Sequence, residues 1–318
     1  MLNLHMRYSI CLSYNGADFC GWQIQPSAPS VQAALEGALS RLLGGPVAVT
    51  GAGRTDTAVN AVGYIAHFDF GGSLPFETSD FIYKLNAILP RSVVVHEVIP
   101  VPDDFHARFG ARRREYTYFI HRQKDPFVAP WSWQCGYPAL DFDAMNEACQ
   151  YLLGTHDFSC FEKTGTDNKT SICTVFDAFW KPYTPSHLQV MGSEAGGTGA
   201  GDSGRFAPSG PSHCHKCRIG SKLPSVPSVS GPLPLPLCGG AQAPAPVPPA
   251  SAPVYWYFRI AADRFLRNMV RATVGSLIEV GRGKHRPEWI AELIESGTRG
   301  DAGESVPGNA LFLSSVQY

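Results

Sequence analysis

Hydrophobic periodicity switches between a repeat of two and a helical repeat in the same order twice along this chain, and few architectures accept that pattern. Residues 7–14 alternate, with Tyr8, Ile10, Leu12 and Tyr14 on one face, as a half-buried strand requires. Ser30 stands where an N-cap belongs, ahead of Val31, Ala34, Leu35, Ala38, Leu39 and Leu42 at helical spacing. Strand-like runs at 46–51 and 62–70, a helix through Phe81, Ile82, Leu85 and Ile88, and a β-rich run at 92–100 complete a β-α-β-β-α-β unit. The order then recurs. A strand at 112–121 leads to a helix through Phe142, Met145, Cys149 and Leu152, followed by strands at 172–180 and 254–262. A long helix at 263–280, a shorter one opening at Pro287 and a strand at 311–317 close the second unit. The expected fold is α+β: two tandem ferredoxin-like (RRM-like) halves, 1–105 and 106–318, whose antiparallel sheets join edge to edge around a central cleft suited to a large ligand.

Residues 191–252 break the pattern. Seven glycines fall between 191 and 210 and ten of the 26 prolines between 221 and 253, with little apolar periodicity, so an unstructured insertion in the second half's hairpin is expected. It occupies the place that a polar loop holds in the first half. His213, Cys214, His215 and Cys217 crowd metal-capable side chains there but lack a second pair at zinc-finger spacing, so no metal is expected.

With 44% hydrophobic and 11% aromatic residues, the 318-residue chain can bury substantial cores. Its 26 basic and 27 acidic residues leave a net charge of −1, so any nucleic-acid site must be a local basic patch. Nine cysteines at irregular spacing fit a reducing compartment, and neither an export signal nor an apolar span of membrane length is read, so a cytoplasmic location is expected.

The densest polar cluster is Gly51-Ala52-Gly53-Arg54-Thr55-Asp56, between two expected strands. An Arg two residues before an Asp sets a cation beside a carboxylate suited to nucleophilic or base chemistry; a hairpin turn with a surface ion pair is the plainer alternative. Arg112, Arg113 and Arg114 precede Tyr116 and Tyr118, which share a strand face. Such interleaving suits a stacked base and its phosphates, or a buried aromatic face with a solvated basic lead-in. Arg264, Arg267 and Arg271 recur at i, i+3 and i+7 on the expected long helix, as a phosphate-facing stripe or a solvated face.

These signals stand among the segments YNGADFCGWQIQP with VQAALEGAL, GAGRTDTAVNAVGYIAHFD, LNAILP, VPDDFHARFGARRREYTYFI, LLGTHDF, RFLRNMVRATVGSLIEVGRGK and LFLSSVQY. In wording and order they resemble the TruA-like family of tRNA pseudouridine synthases over nearly the whole chain outside the insertion. The resemblance implies isomerisation of uridine in the tRNA anticodon stem-loop, at positions 38, 39 or 40, without a cofactor, by a homodimer gripping tRNA across both subunits. By the same resemblance Asp56 is the catalytic carboxylate and Tyr116 stacks on the target base as a candidate acceptor of its C5 proton. Arg271 pairs with the aspartate, and Arg54 helps extrude the nucleotide. His106, Arg108, Arg112, Arg113, Arg114, Arg264 and Arg267 are candidate RNA contacts.

Two departures stand out. Where the family usually carries Gly and His after the aspartate, this chain has Ala58 and Asn60. The insertion is the other. An altered loop leaves a competing expectation, a protein of the same fold that binds tRNA with impaired turnover.

Overall fold

The computed structural model describes residues 5–165, 169–192 and 253–318. The first half comprises β1 (His5–Tyr14), α1 (Val31–Leu43), β2 (Val49–Gly51), β3 (Asn60–Gly71), α2 (Thr78–Ile88) and β4 (Val93–Val101). The second comprises β5 (Arg113–His121), β6 (Trp133–Gln134), α3 (Phe142–Gln150), β7 (Gly154–Asp157), β8 (Ile172–Pro182), α4 (Ser186–Gly192), β9 (Tyr255–Ala262), α5 (Met269–Gly281), α6 (Trp289–Ser296) and β10 (Leu311–Gln317). Local chemistry sets these elements. The Ser30 hydroxyl accepts the Ala33 N–H at the start of α1, Gly44 ends the helix at φ 75, and Val31, Leu35, Ala38 and Leu39 are its buried stripe.

The mixed α+β fold is the one expected, with its strands in one mostly antiparallel sheet of order β4-β1-β3-β10-β5-β9-β8-β7. Each half keeps the same internal order. In the first, β4-β1-β3 continues to β2; in the second, β10-β5-β9 continues to β8. The seam is one of two parallel pairings among the described residues: Phe312 and Leu313 of β10 run parallel to Asn60 and Ala61 of β3, as the short β6 does to β5. The edge of β3 is therefore shared. Its far end, Ala66 to Phe68, pairs with β2, and its near end pairs with β10, so the connection 52–59 leaves the sheet where the two neighbours fork apart.

One expected element is corrected. The helix expected at 263–280 begins at Met269, so Arg264 and Arg267 precede it and share no helical stripe with Arg271. Two local effects delay the helix. Asp263 Oδ1 accepts the N–H groups of Thr174 and Arg264 at 2.9 and 2.6 Å, which commits the chain to a turn, and Asn268 takes a left-handed φ of 67 that no α-helix contains. The short strands β6 and β7 and helix α4 went unread. Residues 193–252, including His213, Cys214, His215 and Cys217, lie outside the described residues. Among the described residues no helix is long and apolar enough to cross a membrane.

Candidate active site

The loop carrying Asp56 is tied down by a buried aromatic floor. Tyr64, on β3, donates its hydroxyl to the Gly53 carbonyl at 2.5 Å, and Tyr14, on β1, bonds the Thr55 hydroxyl at 2.8 Å. Trp22 stacks on Tyr64 with centroids 4.1 Å apart and gives its backbone N–H to the Thr55 carbonyl at 3.2 Å. Buried phenols whose hydroxyls are bonded hold a loop far more firmly than apolar contact alone, because leaving either partner unsatisfied costs about 1–3 kcal/mol. Gly21 makes the approach possible: it sits at φ 95, and a Cβ there would lie 2.3 Å from the Thr55 carbonyl oxygen.

The two departures in this loop have definite structural roles. Ala58 takes a left-handed φ of 64, the conformation glycine adopts freely, so the loop keeps that turn at a cost of about 1 kcal/mol. Its N–H donates to the Phe19 carbonyl at 3.3 Å. Asn60 is buried and bridges two segments, accepting the Gly16 N–H at 2.9 Å and donating to the Asn309 carbonyl at 2.8 Å. One amide thus supplies an acceptor and a donor at once, with no titration.

At the tip, the Asp56 carboxylate is about a quarter exposed. Arg267 Nε lies 3.8 Å from one carboxylate oxygen and Arg271 Nη1 3.8 Å from the other. Both distances exceed a hydrogen bond, so the two cations flank the carboxylate without capping the oxygens that would react. Arg271 is itself anchored, its Nε donating to the Val306 carbonyl at 2.6 Å. Tyr116 is buried nearby, edge-on to Phe265 at 5.0 Å. Burial pushes its phenol well above the ordinary value, the positive charge of Arg114 opposes that shift, and the negative charge of Asp56 adds to it. The phenol therefore stays neutral at ordinary pH.

The other candidates divide by position. Arg54 is exposed on the loop, two residues ahead of Asp56, and Arg112 and Arg108 are also exposed. Arg108 lies over the Phe109 ring at 5.5 Å, and Arg113 over Phe176 at 5.4 Å. The His106 ring nitrogen Nδ1 accepts the N–H groups of Arg108 and Phe109, closing a turn. Arg114 makes five hydrogen bonds, two to Ala52 O and one each to Ala111 O, Asp263 O and Arg108 O. That matches all five guanidinium donors, so Arg114 acts as a clasp between the start of the Asp56 loop and the turn before α5. Arg264 lies toward the buried Cys173, where burial raises the thiol's pKa and the Arg264 charge opposes it.

Sequence reasoning read the stripe as a source of one Arg to pair with Asp56, gave that pairing to Arg271 and an RNA contact to Arg267; the structure brings both to the carboxylate. The same reading placed Tyr14 only on the packed face of the first strand and gave Trp22 and Tyr64 no role; their hydrogen bonds to a loop distant in sequence reveal one. Among the described residues, no group of three or more His, Cys, Asp or Glu side chains is placed to hold a metal ion.

Comparison with known proteins bears on this arrangement. A family model described as tRNA pseudouridine synthase matches residues 148–318. The tRNA pseudouridine synthase A of Parabacteroides distasonis is 38% identical over 98% of this chain and 96% of its own length. That of Porphyromonas gingivalis is 36% identical over 98% and 97%, and that of Nitratidesulfovibrio vulgaris 34% identical over 98% and 99%.

Proposed function

This chain belongs to the tRNA pseudouridine synthase family, a family of isomerases, and from that premise we propose that Asp56 is the nucleophile acting on uridine in the anticodon stem-loop, at positions 38, 39 or 40. The observation that carries the reading is the Asp56 carboxylate held between Arg267 and Arg271 at 3.8 Å with both oxygens uncapped. A carboxylate so placed is oriented for attack without having to shed a hydrogen bond first.

The isomerisation balances without redox equivalents. The C1′–N1 bond breaks, the uracil turns, a C1′–C5 bond forms, and the C5 proton is lost while N1 gains one. Asp56 begins this by attack on sugar or base or by removing a sugar proton. Arg267 and Arg271 stabilise the negative charge that moves through the site. Tyr116, neutral and buried against Phe265, offers a ring for the uracil to stack on and a hydroxyl to orient it. Arg54, exposed beside the carboxylate, fits the extrusion of a stacked nucleotide. Arg108, Arg112 and Arg113, with His106, fit contacts to the RNA backbone, whereas Arg114 serves by holding the loop. A cytoplasmic homodimer is the assembly we propose, since two local basic clefts on a near-neutral chain can act on one polyanion.

The test is pseudouridine mapping by carbodiimide adduct and primer extension on unmodified tRNA. Wild type should modify the anticodon arm. Asp56→Asn should lose at least about 10³-fold in single-turnover rate while tRNA affinity stays within a few-fold. Conversion by Asp56→Asn at the wild-type rate would remove the nucleophile from the mechanism, and tRNA binding without conversion by either protein would favour a tRNA-binding role.

A further inference from the structure

Beside the carboxylate lies a pocket of about 370 Å³ lined by Lys163, Thr164, Asn268, Arg271, Arg299 and Ser305. Three of these side chains are cationic, two carry hydroxyls and none is a carboxylate. We propose that this pocket is an anion subsite that grips a backbone phosphodiester flanking the target uridine. The proposal rests on the reading of the chain as an enzyme that acts on tRNA.

The donor count selects the ligand. Ser305 Oγ accepts hydrogen bonds from Asn268 Nδ2 at 2.6 Å and from Arg299 Nη2 at 2.8 Å. A hydroxyl has two lone pairs and one proton, so with both lone pairs engaged its O–H is left to donate. A surface offering that O–H beside an ammonium and two guanidiniums is matched by an acceptor-only group with negative charge, which describes a phosphodiester and not a base edge. The volume exceeds what a phosphate alone fills and leaves room for its ribose.

The pocket is also built in advance. Arg299 Nη1 donates to the Gly303 carbonyl at 3.1 Å, and the Gly303 N–H donates to Ser276 Oγ, on α5, at 2.9 Å. At Gly275 the same loop presses so closely on α5 that a Cβ would lie 1.8 Å from the Glu304 carbonyl oxygen. The backbone of Lys163 is held too, its N–H donating to the Arg267 carbonyl at 3.0 Å. A preformed cationic site loses little ordering free energy when it binds.

Arg271 joins the pocket to the chemistry. Fixed through its Nε to Val306, it lines the pocket and reaches Asp56 with Nη1. A phosphate held there sets the position of the neighbouring ribose relative to the carboxylate. Lys163 is thus a positioning residue, exposed at the rim.

The experiment uses the full-length protein and tRNA ligated from two fragments, each tRNA carrying one neutral methylphosphonate in place of a phosphodiester flanking the target. Affinity is measured for wild type and for Lys163→Gln, which keeps a polar side chain and removes the charge. One linkage should weaken wild-type binding by about ten-fold when neutralised, and by a clearly smaller factor once Lys163 is gone. Lys163→Gln should also lower the salt slope of binding by about one. Equal losses in both proteins at every linkage would overturn the proposal. So would competition by inorganic phosphate without any linkage-specific coupling, which would assign the pocket to a free anion. Because the readout is binding, it is separable from the chemistry. An Asp56→Asn protein should show the same coupling, and failure of wild type to convert uridine would count against the proposed reaction alone.

Discussion

The connection between β2 and β3 and the connection between β8 and β9 hold the same place in the two halves, after the second strand of each unit and before the third. The first is short, residues 52–59, and carries Asp56. The second runs from residue 183 to 254 and contains the Gly- and Pro-rich stretch. The backbone of the first is tied at many points. In the first loop the carbonyls of Ala52, Gly53 and Thr55 and the N–H groups of Ala52, Ala58 and Val59 all have partners. A carboxylate can be aimed only from a backbone whose polar groups are accounted for, and repeated topology does not by itself provide that. The proposed chemistry sits in the first hairpin, and the corresponding place in the second half carries the long Gly- and Pro-rich sequence.

The sharpest way to break this contrast is to remove the clasp. Arg114→Ala deletes five charge-assisted bonds to carbonyls of four residues, including Ala52 at the root of the Asp56 loop. Urea unfolding should show a loss of about 1–3 kcal/mol, since the carbonyl of the buried Ala52 and the part-buried ones of Ala111 and Asp263 lose these partners. Arg114→Lys should recover part of the stability but little of the turnover, because an ammonium cannot span the same fork. Full turnover in Arg114→Lys would show that the loop is aimed by the aromatic floor alone.

Acid should act on the same hairpin. His67, on β3 opposite Thr50 of β2, accepts the Ala107 N–H through Nδ1 at 3.1 Å. Burial, then the positive charges of Arg7 and His106, lower its pKa from 6.5 to about 4, against a weaker opposing pull from Asp69. The folded protein therefore prefers the neutral ring, while the unfolded chain takes up a proton first as pH falls. The stability it contributes is complete above about pH 6.5 and is lost as pH falls toward about 4. Melting temperature should decline across that window, and His67→Asn, which retains an acceptor and cannot titrate, should flatten the decline. An unchanged pH profile in that variant would place the acid sensitivity elsewhere.

A smaller effect probes the strained turn. Ala58→Gly removes the left-handed penalty at φ 64 and adds flexibility to the unfolded chain, so the net gain should be at most about 1 kcal/mol. Catalytic rate should stay within about two-fold, because the turn already has its shape. A rate gain well beyond that would mean that Ala58 shifts the carboxylate and not only the stability.

What was legible in the sequence follows from how local its cause is. Strands and helices with their own caps and alternation, such as α1 behind Ser30, could be read directly, as could the doubled order of elements. Asp56 could be picked out as a candidate because Gly51 to Asp56 concentrates unusual residues in one short run, while its expected role came from the family resemblance. The late start of α5 was not, because a side chain at Asp263 that bonds across to Thr174 overrides a good helical pattern. Arg114 was read as a ligand contact for the same reason: its partners are carbonyls from three separate segments, and a carbonyl's position leaves no mark in composition. The convergence of Arg267 and Arg271 on Asp56 is likewise a product of the seam between β3 and β10, a pairing of a few residues.

The smallest expected effect is the most direct test of the contrast between the two hairpins. Replacing residues 193–252 with a short Gly/Ser linker shortens only the second connection, and β8 and β9 remain paired along Val175 to Pro182. Loop-closure entropy changes slowly with length, by about 0.6 kcal/mol per doubling, so melting temperature should hold or rise slightly. The bonds described around Asp56 come from residues outside the replaced stretch, so single-turnover rate on a saturating tRNA should remain within about two-fold of wild type. The informative quantity is the affinity for tRNA. If it too is unchanged, the second connection is a passive insertion, and the two hairpins differ in function as completely as in length. A clear loss of affinity at constant rate would instead give the long connection a part in RNA capture, and the contrast would become a division of labour between holding the substrate and transforming it.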